Sequence, residues 1–277
     1  DAPRSFSETA KGLLIIAIPI TLGSAGLQLL TMLETKIYMG QLLSHGWSQN
    51  EADTMRGIYG MTQTIFNMPC AFIIPITVSV LPAITSFLTM GDHQGVRETE
   101  ESAARITGLL SLPCAVGLAV LAKPVMSLLG GYSGEKALLA GQLMALLGIC
   151  VFLYATVQFT NAVLQANGFA NLPVVNMLIC GTMKLLVVFI LVGNPAIGMA
   201  GAPIGALVCY FCIGALNVFS IRRVVKDKPA LVTNLLRPLI PALLMGGAVF
   251  GTYQGLLWLL GEGTSNIILC GGPIRVG

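Results

Sequence analysis

Two ionisable residues stand inside stretches of chain otherwise free of charge. Glu34 closes the uncharged run from Leu13 to Leu33, and Lys184 lies near the centre of the apolar segment 172–193. A carboxylate or an ammonium at membrane depth is costly and normally faces a partner, water or a substrate path. Amides and hydroxyls surround them at helical spacing. Tyr154, Gln158, Asn161 and Gln165 follow i, i+4, i+7, i+11, as do Ser24, Gln28, Thr31 and Thr35, while Tyr59, Gln63 and Asn67 are spaced by four. Residues three and four apart share one helix face. An amide aimed at lipid costs several kcal/mol, so three polar stripes predict a shared, water-accessible cleft. The competing use, hydrogen bonds that glue helices together, is worth only ~0.6 kcal/mol each. Ammonium and amide donors in a cleft suit an anionic group. The candidate substrate-binding residues are therefore Glu34, Lys184, Gln28, Thr31, Gln63, Asn67, Gln158, Asn161 and Gln165.

Glu34 and Lys36 sit ~200° apart around a helix, so they do not share a face. Lys36 reads as snorkelling to the outer interface. Glu34, beside Thr31, borders the polar stripe and is expected to share a cavity with Lys184, where the two become candidates for an ion pair. Their depths argue against direct contact: Glu34 lies ~33 Å along a straight helix from Gly12, whereas Lys184 lies ~18 Å from Leu172. Tilt, or a bend at Pro19 and Gly23, has to close that gap.

Other chemistry is missing. His45 and His93 fall in linkers without metal-ligand spacing, and no serine or cysteine has a base near it in sequence. Cys209-Tyr-Phe-Cys212 has CxxC spacing but no second pair. All seven cysteines lie in apolar segments, as buried small side chains do, which speaks against a disulfide framework. The Gly-rich stretch 195–206 follows no strand and lacks the lysine of a phosphate loop. Its small residues, Gly198/Ala202/Ala206 and Gly201/Gly205, are spaced for close helix packing. No enzyme, cofactor or metal is expected.

The elements that must carry these residues are membrane spans. Of 277 residues 55% are hydrophobic and 10% charged, against about 25% charged in soluble proteins, and mean hydropathy is +0.83. A helix needs about 20 apolar residues to cross the bilayer. Runs at 12–43, 57–90, 106–129, 136–166, 172–193, 199–221 and 235–260 qualify, and an eighth begins near Ile267. The fold class is all-α: a polytopic transmembrane helical bundle of about seven spans plus a truncated eighth. Residues 90–105 read as a strongly polar, amphipathic surface helix, and 261–266 as a linker. Pro69, Pro75 and Pro82 should kink the second span. Arg222, Arg223, Lys226, Lys228 and Arg237 crowd the linker 222–237, which places it in the cytosol. Alternation then puts 90–105 and 166–171 inside and 44–56 and 193–198 outside. The net charge of +3 gives no reason to expect nucleic acid. The chain begins at Asp1 and stops within an apolar run, so it is expected to be part of a longer protein.

Three segments carry a family resemblance. NLPVVNMLICGTMKLLVVFILVGNPAIGMAGAPIGALVCY (171–210) resembles the second half of polysaccharide transporters of the stage V sporulation protein B type. IAIPITLGSAGLQLLTMLETKIY (16–38) is similar to that family's seventh helix, where Glu34 stands in place of the usual aspartate, and NMPCAFIIPITVSVLPAI (67–84) to its eighth. The family belongs to the multidrug, oligosaccharidyl-lipid and polysaccharide exporters, with the lipid II flippases and MATE exporters. The resemblance implies a two-lobed MATE-like transporter in the bacterial cytoplasmic membrane, of which 1–277 supplies the C-terminal lobe and the N-terminal lobe is absent. It implies alternating access that moves an undecaprenyl-type lipid-linked glycan between leaflets, with membrane lipids as further partners. Some relatives hold sodium between their seventh, eleventh and twelfth helices; Lys184 stands where those have an uncharged ligand. The rivals are a multidrug/cation antiporter, which wants acidic and aromatic cleft residues; an intramembrane enzyme, which wants a catalytic acid cluster; and a non-transporting scaffold.

Overall fold

The computed structural model describes residues 29–225 and 229–270. Every regular element among them is helical. Helix α1 covers 29–44. A turn leads to α2 (Gln49–Val78), whose start is set by a capping box: the Ser48 hydroxyl accepts from the Glu51 amide, and Glu51 Oε2 accepts from the Ser48 amide at 2.9 Å. The first turns of α2 therefore reach into the segment expected to be a linker at 44–56.

Pro69 and Pro75 lie inside α2, while Pro82 falls in the first turn of α3 (Val80–Met90), where a missing N–H leaves nothing unsatisfied. The junction is tight, since the Ser79 amide still donates to the Pro75 carbonyl at 3.0 Å. Together α2 and α3 make one apolar run, Gln49–Met90. Gly91, at φ 72°, ends α3 in the left-handed conformation that glycine adopts without strain.

Helix α4 (His93–Val120) corrects two expectations at once. The polar stretch 90–105 is not a separate surface helix, and 106–129 is not one span. Val96, Glu100, Ala103, Thr107 and Ser111 form a single buried face that runs through both stretches, so nothing stops the helix there. The break comes at Leu121, before α5 (Ala122–Gly130).

Helix α6 (Gly134–Ala166) is the central element, packed on α2, α4, α5 and α8. Its approach to α4 is close: a Cβ on Gly148 would stand 2.8 Å from the Ala119 backbone nitrogen. A short turn joins α7 (Asn171–Val192) to a 3-10 turn (Gly198–Ala200) and α8 (Gly201–Val224). The small residues predicted to pack do so, since a Cβ on Gly201 would lie 2.8 Å from the Val192 nitrogen and one on Gly205 2.6 Å from Val188 Cγ2. The short α9 (Leu231–Leu236) lies on α4, with Arg105 Nε donating to Asn234 Oδ1 at 2.9 Å and the Ala230 amide donating to Glu101.

Helix α10 (Leu239–Cys270) packs on α4 and α5 and is the last correction. The expected linker 261–266 and a fresh helix from Ile267 are replaced by one unbroken helix. The GEGTSN stretch lowers helix propensity but contains no proline to end it. Among the described residues six helices or helix pairs are long and apolar enough to cross a membrane, from Gln49–Met90 to Leu231–Leu256. The first expected span, 12–43, lies mostly outside the described residues.

Candidate functional site

Helix α1 runs alongside α7 in the same direction. Leu30 Cδ1 would stand 3.1 Å from a Cβ on Gly181, and Gln41 Oε1 would stand 2.9 Å from one on Gly193. Between these two contacts, Lys184 Nζ donates to Glu34 Oε2 at 2.6 Å. The depth argument against this contact came from counting from the wrong ends. Glu34 is ten residues before the end of α1 at Ser44 and Lys184 eight before the end of α7 at Val192, so both lie ~12–15 Å below those ends. Glu34 is 5% exposed. Its second oxygen, Oε1, is buried without a hydrogen-bond partner among the described residues.

The pair forms part of the wall of a cavity of about 370 Å³ between α1, α6, α7 and α8. That volume is within the usual range for small-molecule sites, ~300–1,000 Å³. Thr31, Glu34, Gln158, Asn161 and Lys184, all expected from the sequence, converge on it. Tyr154, Cys209 and Tyr210 add to the wall. Tyr154 is held between Phe66 and Tyr210, at ring separations of 5.9 and 5.2 Å.

The other expected site residues are elsewhere. Gln63 is half-buried and Asn67 exposed on α2, which contributes nothing to this cavity. Tyr59, on the same stripe, is buried in the core, edge-on to Tyr38 at 6.1 Å. Among the described residues, the α2 stripe does not join those of α1 and α6 at this cavity. Gln165, although it shares a face with Gln158, is exposed beyond the cavity. The Thr35 hydroxyl turns back to the Thr31 carbonyl at 3.0 Å. Ser24 and Gln28 lie outside the described residues.

Three polar residues that the sequence reading passed over support the cavity from behind. Asn176 Nδ2 donates to Asn217 Oδ1 at 2.9 Å, and Asn217 Nδ2 donates to Thr160 Oγ1 at 3.0 Å and to Asn161 Oδ1 at 2.7 Å. The signal was available: Tyr210 and Asn217 are spaced i, i+7 on α8, and Asn176 and Lys184 i, i+8 on α7, each pair on one face. Six cysteines are free thiols, and no cluster of His, Cys, Asp or Glu that could hold a metal occurs among the described residues.

A second cavity, about 420 Å³, lies between α6, α8 and α9 and shares Tyr210 with the first. Phe152, Phe159, Phe211, Phe219 and Leu235 make its wall largely apolar, and Arg222 is its charged residue. It lacks the converging amides and ion pair of the first, which is therefore the candidate site.

The comparisons with known proteins agree with this architecture. The chain is 26% identical over 260 residues to the "Uncharacterized membrane protein YabM" of Bacillus subtilis (strain 168), covering 94% of this chain and 47% of that protein. It is 24% identical over 223 residues to "Stage V sporulation protein B" of the same organism, covering 80% and 42%. The chain thus spans about half the length of the curated relatives it matches. Among solved structures it is similar in fold to an outward-facing multidrug resistance MATE family transporter of the MOP superfamily, with TM-score 0.62 and 16% identity over 85% of this chain and 52% of that one. A MOP superfamily transporter from Pyrococcus furiosus, described as having a binding pocket of reverse polarity, matches with the same TM-score, identity and coverage. Both solved neighbours are described as transporters, and the chain is a multi-pass bacterial membrane protein. A match over residues 5–268 places the chain in the lipid II flippase MurJ family.

Proposed function

We propose that this chain is the C-terminal lobe of a flippase that moves a lipid-linked oligosaccharide or peptidoglycan precursor across the cytoplasmic membrane by alternating access. The N-terminal lobe would be supplied by the same polypeptide. The observation that carries this reading is the Glu34–Lys184 pair on the wall of an amide-lined cavity. With its acid neutralised by a fixed ammonium, the cavity offers no uncompensated negative charge to attract a cationic drug. A pyrophosphate, by contrast, can share the Lys184 ammonium, whose three hydrogens allow it to stay on Glu34, and gains charge-assisted hydrogen bonds. Glu34, Thr31, Gln158, Asn161 and Lys184 are the substrate-contacting residues in this reading; Gln28, Gln63, Asn67 and Gln165 remain candidates for contact with the lipid-linked glycan outside the described cavity.

The test is the full-length protein in liposomes carrying a fluorescent undecaprenyl pyrophosphate glycan in both leaflets, with a membrane-impermeant quencher outside. Time-dependent exposure of the inner pool, absent in empty vesicles, is expected. Efflux of a cationic dye with no movement of the glycan would overturn the flippase in favour of the multidrug/cation antiporter.

A further inference from the structure

The polar chain behind the cavity has a direction, and one hydroxyl sets it. The Thr160 hydroxyl has a single hydrogen, and this is engaged by carbonyls of its own helix, Thr156 at 2.8 Å and Val157 at 3.0 Å. Its oxygen can therefore only accept from Asn217. The atom of Asn217 beside it must then be the amide nitrogen, which fixes an assignment that geometry alone leaves to choice. The same nitrogen lies 2.7 Å from Asn161, so the atom of Asn161 that faces Asn217 must be the carbonyl oxygen. Both hydrogens of Asn217 are used, one on Thr160 and one on Asn161. Asn176 completes the chain by donating to the remaining oxygen of Asn217 at 2.9 Å. Asn217 is fully buried, so water does not compete for these bonds.

We propose that Asn217 is a positioning residue that fixes the polarity of the cavity wall. Asn161 has its carbonyl tied to Asn217 and is left with its NH2 group to offer to the cavity it lines. Together with the Lys184 ammonium this sets two donors on a wall whose one carboxylate, Glu34, is already paired with that ammonium. Such a wall selects phosphate or pyrophosphate oxygens over a quaternary ammonium of similar size. The inference rests on the flippase reading above and names the chemical group that reading requires the site to hold. Neither Thr160 nor Asn217 needs to touch the ligand.

The test measures binding of two single-chain probes to the purified full-length protein: farnesyl pyrophosphate and farnesyl trimethylammonium. Wild type is expected to prefer the pyrophosphate. Asn161→Leu should weaken pyrophosphate binding about tenfold, the loss of one hydrogen bond to a charged group, and leave the ammonium probe within about twofold. Asn217→Leu frees the Asn161 amide to turn, and should weaken the pyrophosphate about threefold without adding to Asn161→Leu in the double variant. Additive losses, or equal weakening of both probes by Asn217→Leu, would overturn the positioning role. Should Asn217→Leu fail to fold, the side-chain amide resonance of Asn161 in wild type, assigned by its loss in Asn161→Leu, decides the matter. It should shift with the pyrophosphate and not with the ammonium, and no shift with the pyrophosphate overturns the proposal. A wild type that prefers the ammonium overturns the flippase reading instead.

Discussion

Glu34 and Lys184, 150 positions apart in the chain, meet at 2.6 Å on the wall of the cavity between α1, α6, α7 and α8. The pair is buried on the acid side, and removing one partner from a buried pair leaves a charge without compensation at ~3–5 kcal/mol. Lys184→Ala is therefore expected to lower thermal stability and abolish transport in proteoliposomes. The reversed pair, Glu34→Lys with Lys184→Glu, should recover stability and much of the transport lost in either single variant. A double variant that folds yet transports no better than the singles would show that the pair's orientation, or the identity of each group, matters more than its neutrality.

The cavity lining makes a second prediction within one stripe. Gln158 lines the cavity, whereas Gln165 does not. With Gln158→Cys and Gln165→Cys in a cysteine-free background, a lipid-linked pyrophosphate should protect position 158 from a small thiol reagent and leave position 165 unchanged. Equal protection at both positions would enlarge the site beyond the described cavity.

Orientation is a third. Arginines and lysines concentrated at 222–237 assign that end to the cytosol. Asn50→Cys, at the start of α2, should react with an impermeant maleimide in intact cells. Gln94→Cys, at the start of α4, should react only after permeabilisation. The opposite pattern would invert the protein.

The seam between α7 and α8 gives a fourth. A Cβ on Gly201 would meet the Val192 backbone at 2.8 Å, and backbone cannot step aside. Gly201→Val should cost ~1–3 kcal/mol, read as a lowered unfolding midpoint in detergent. Gly247→Ala on α10, where a Cβ meets nothing within 4 Å, should instead raise stability by up to ~1 kcal/mol, since alanine is the better helix former.

The helices were legible because lipid forces the same answer everywhere: a long uncharged run has to be helical and has to span. Their ends were less so. The amphipathic stretch 90–105 reads as a separate surface helix, whereas its buried face continues unbroken through α4, and 261–266 reads as a linker because two glycines weaken a helix without stopping it. Half of the site was legible by the same logic. Helical spacing identified the faces bearing Thr31, Gln158 and Asn161, and charge within apolar runs singled out Glu34 and Lys184, but a stripe does not say which neighbour it meets. Tyr59 went to the core and Gln165 to the surface for that reason. Asn217 was passed over because it stands alone on α8, and only the fold brings α6 and α7 to it.

The asparagine chain and the glycine seam have a mechanical consequence. Asn161, Asn217 and Asn176 clamp α6, α8 and α7 to one another, and Gly201 and Gly205 let α7 and α8 approach too closely to slide. These three helices must move as a rigid block, because packed, hydrogen-bonded interfaces switch between discrete arrangements rather than stretch. Helix α1 closes the same cavity through Leu30, Thr31 and Glu34. Any hinge that lets the cavity trade one side of the membrane for the other within these helices has to act along that edge, with the ion pair as its catch.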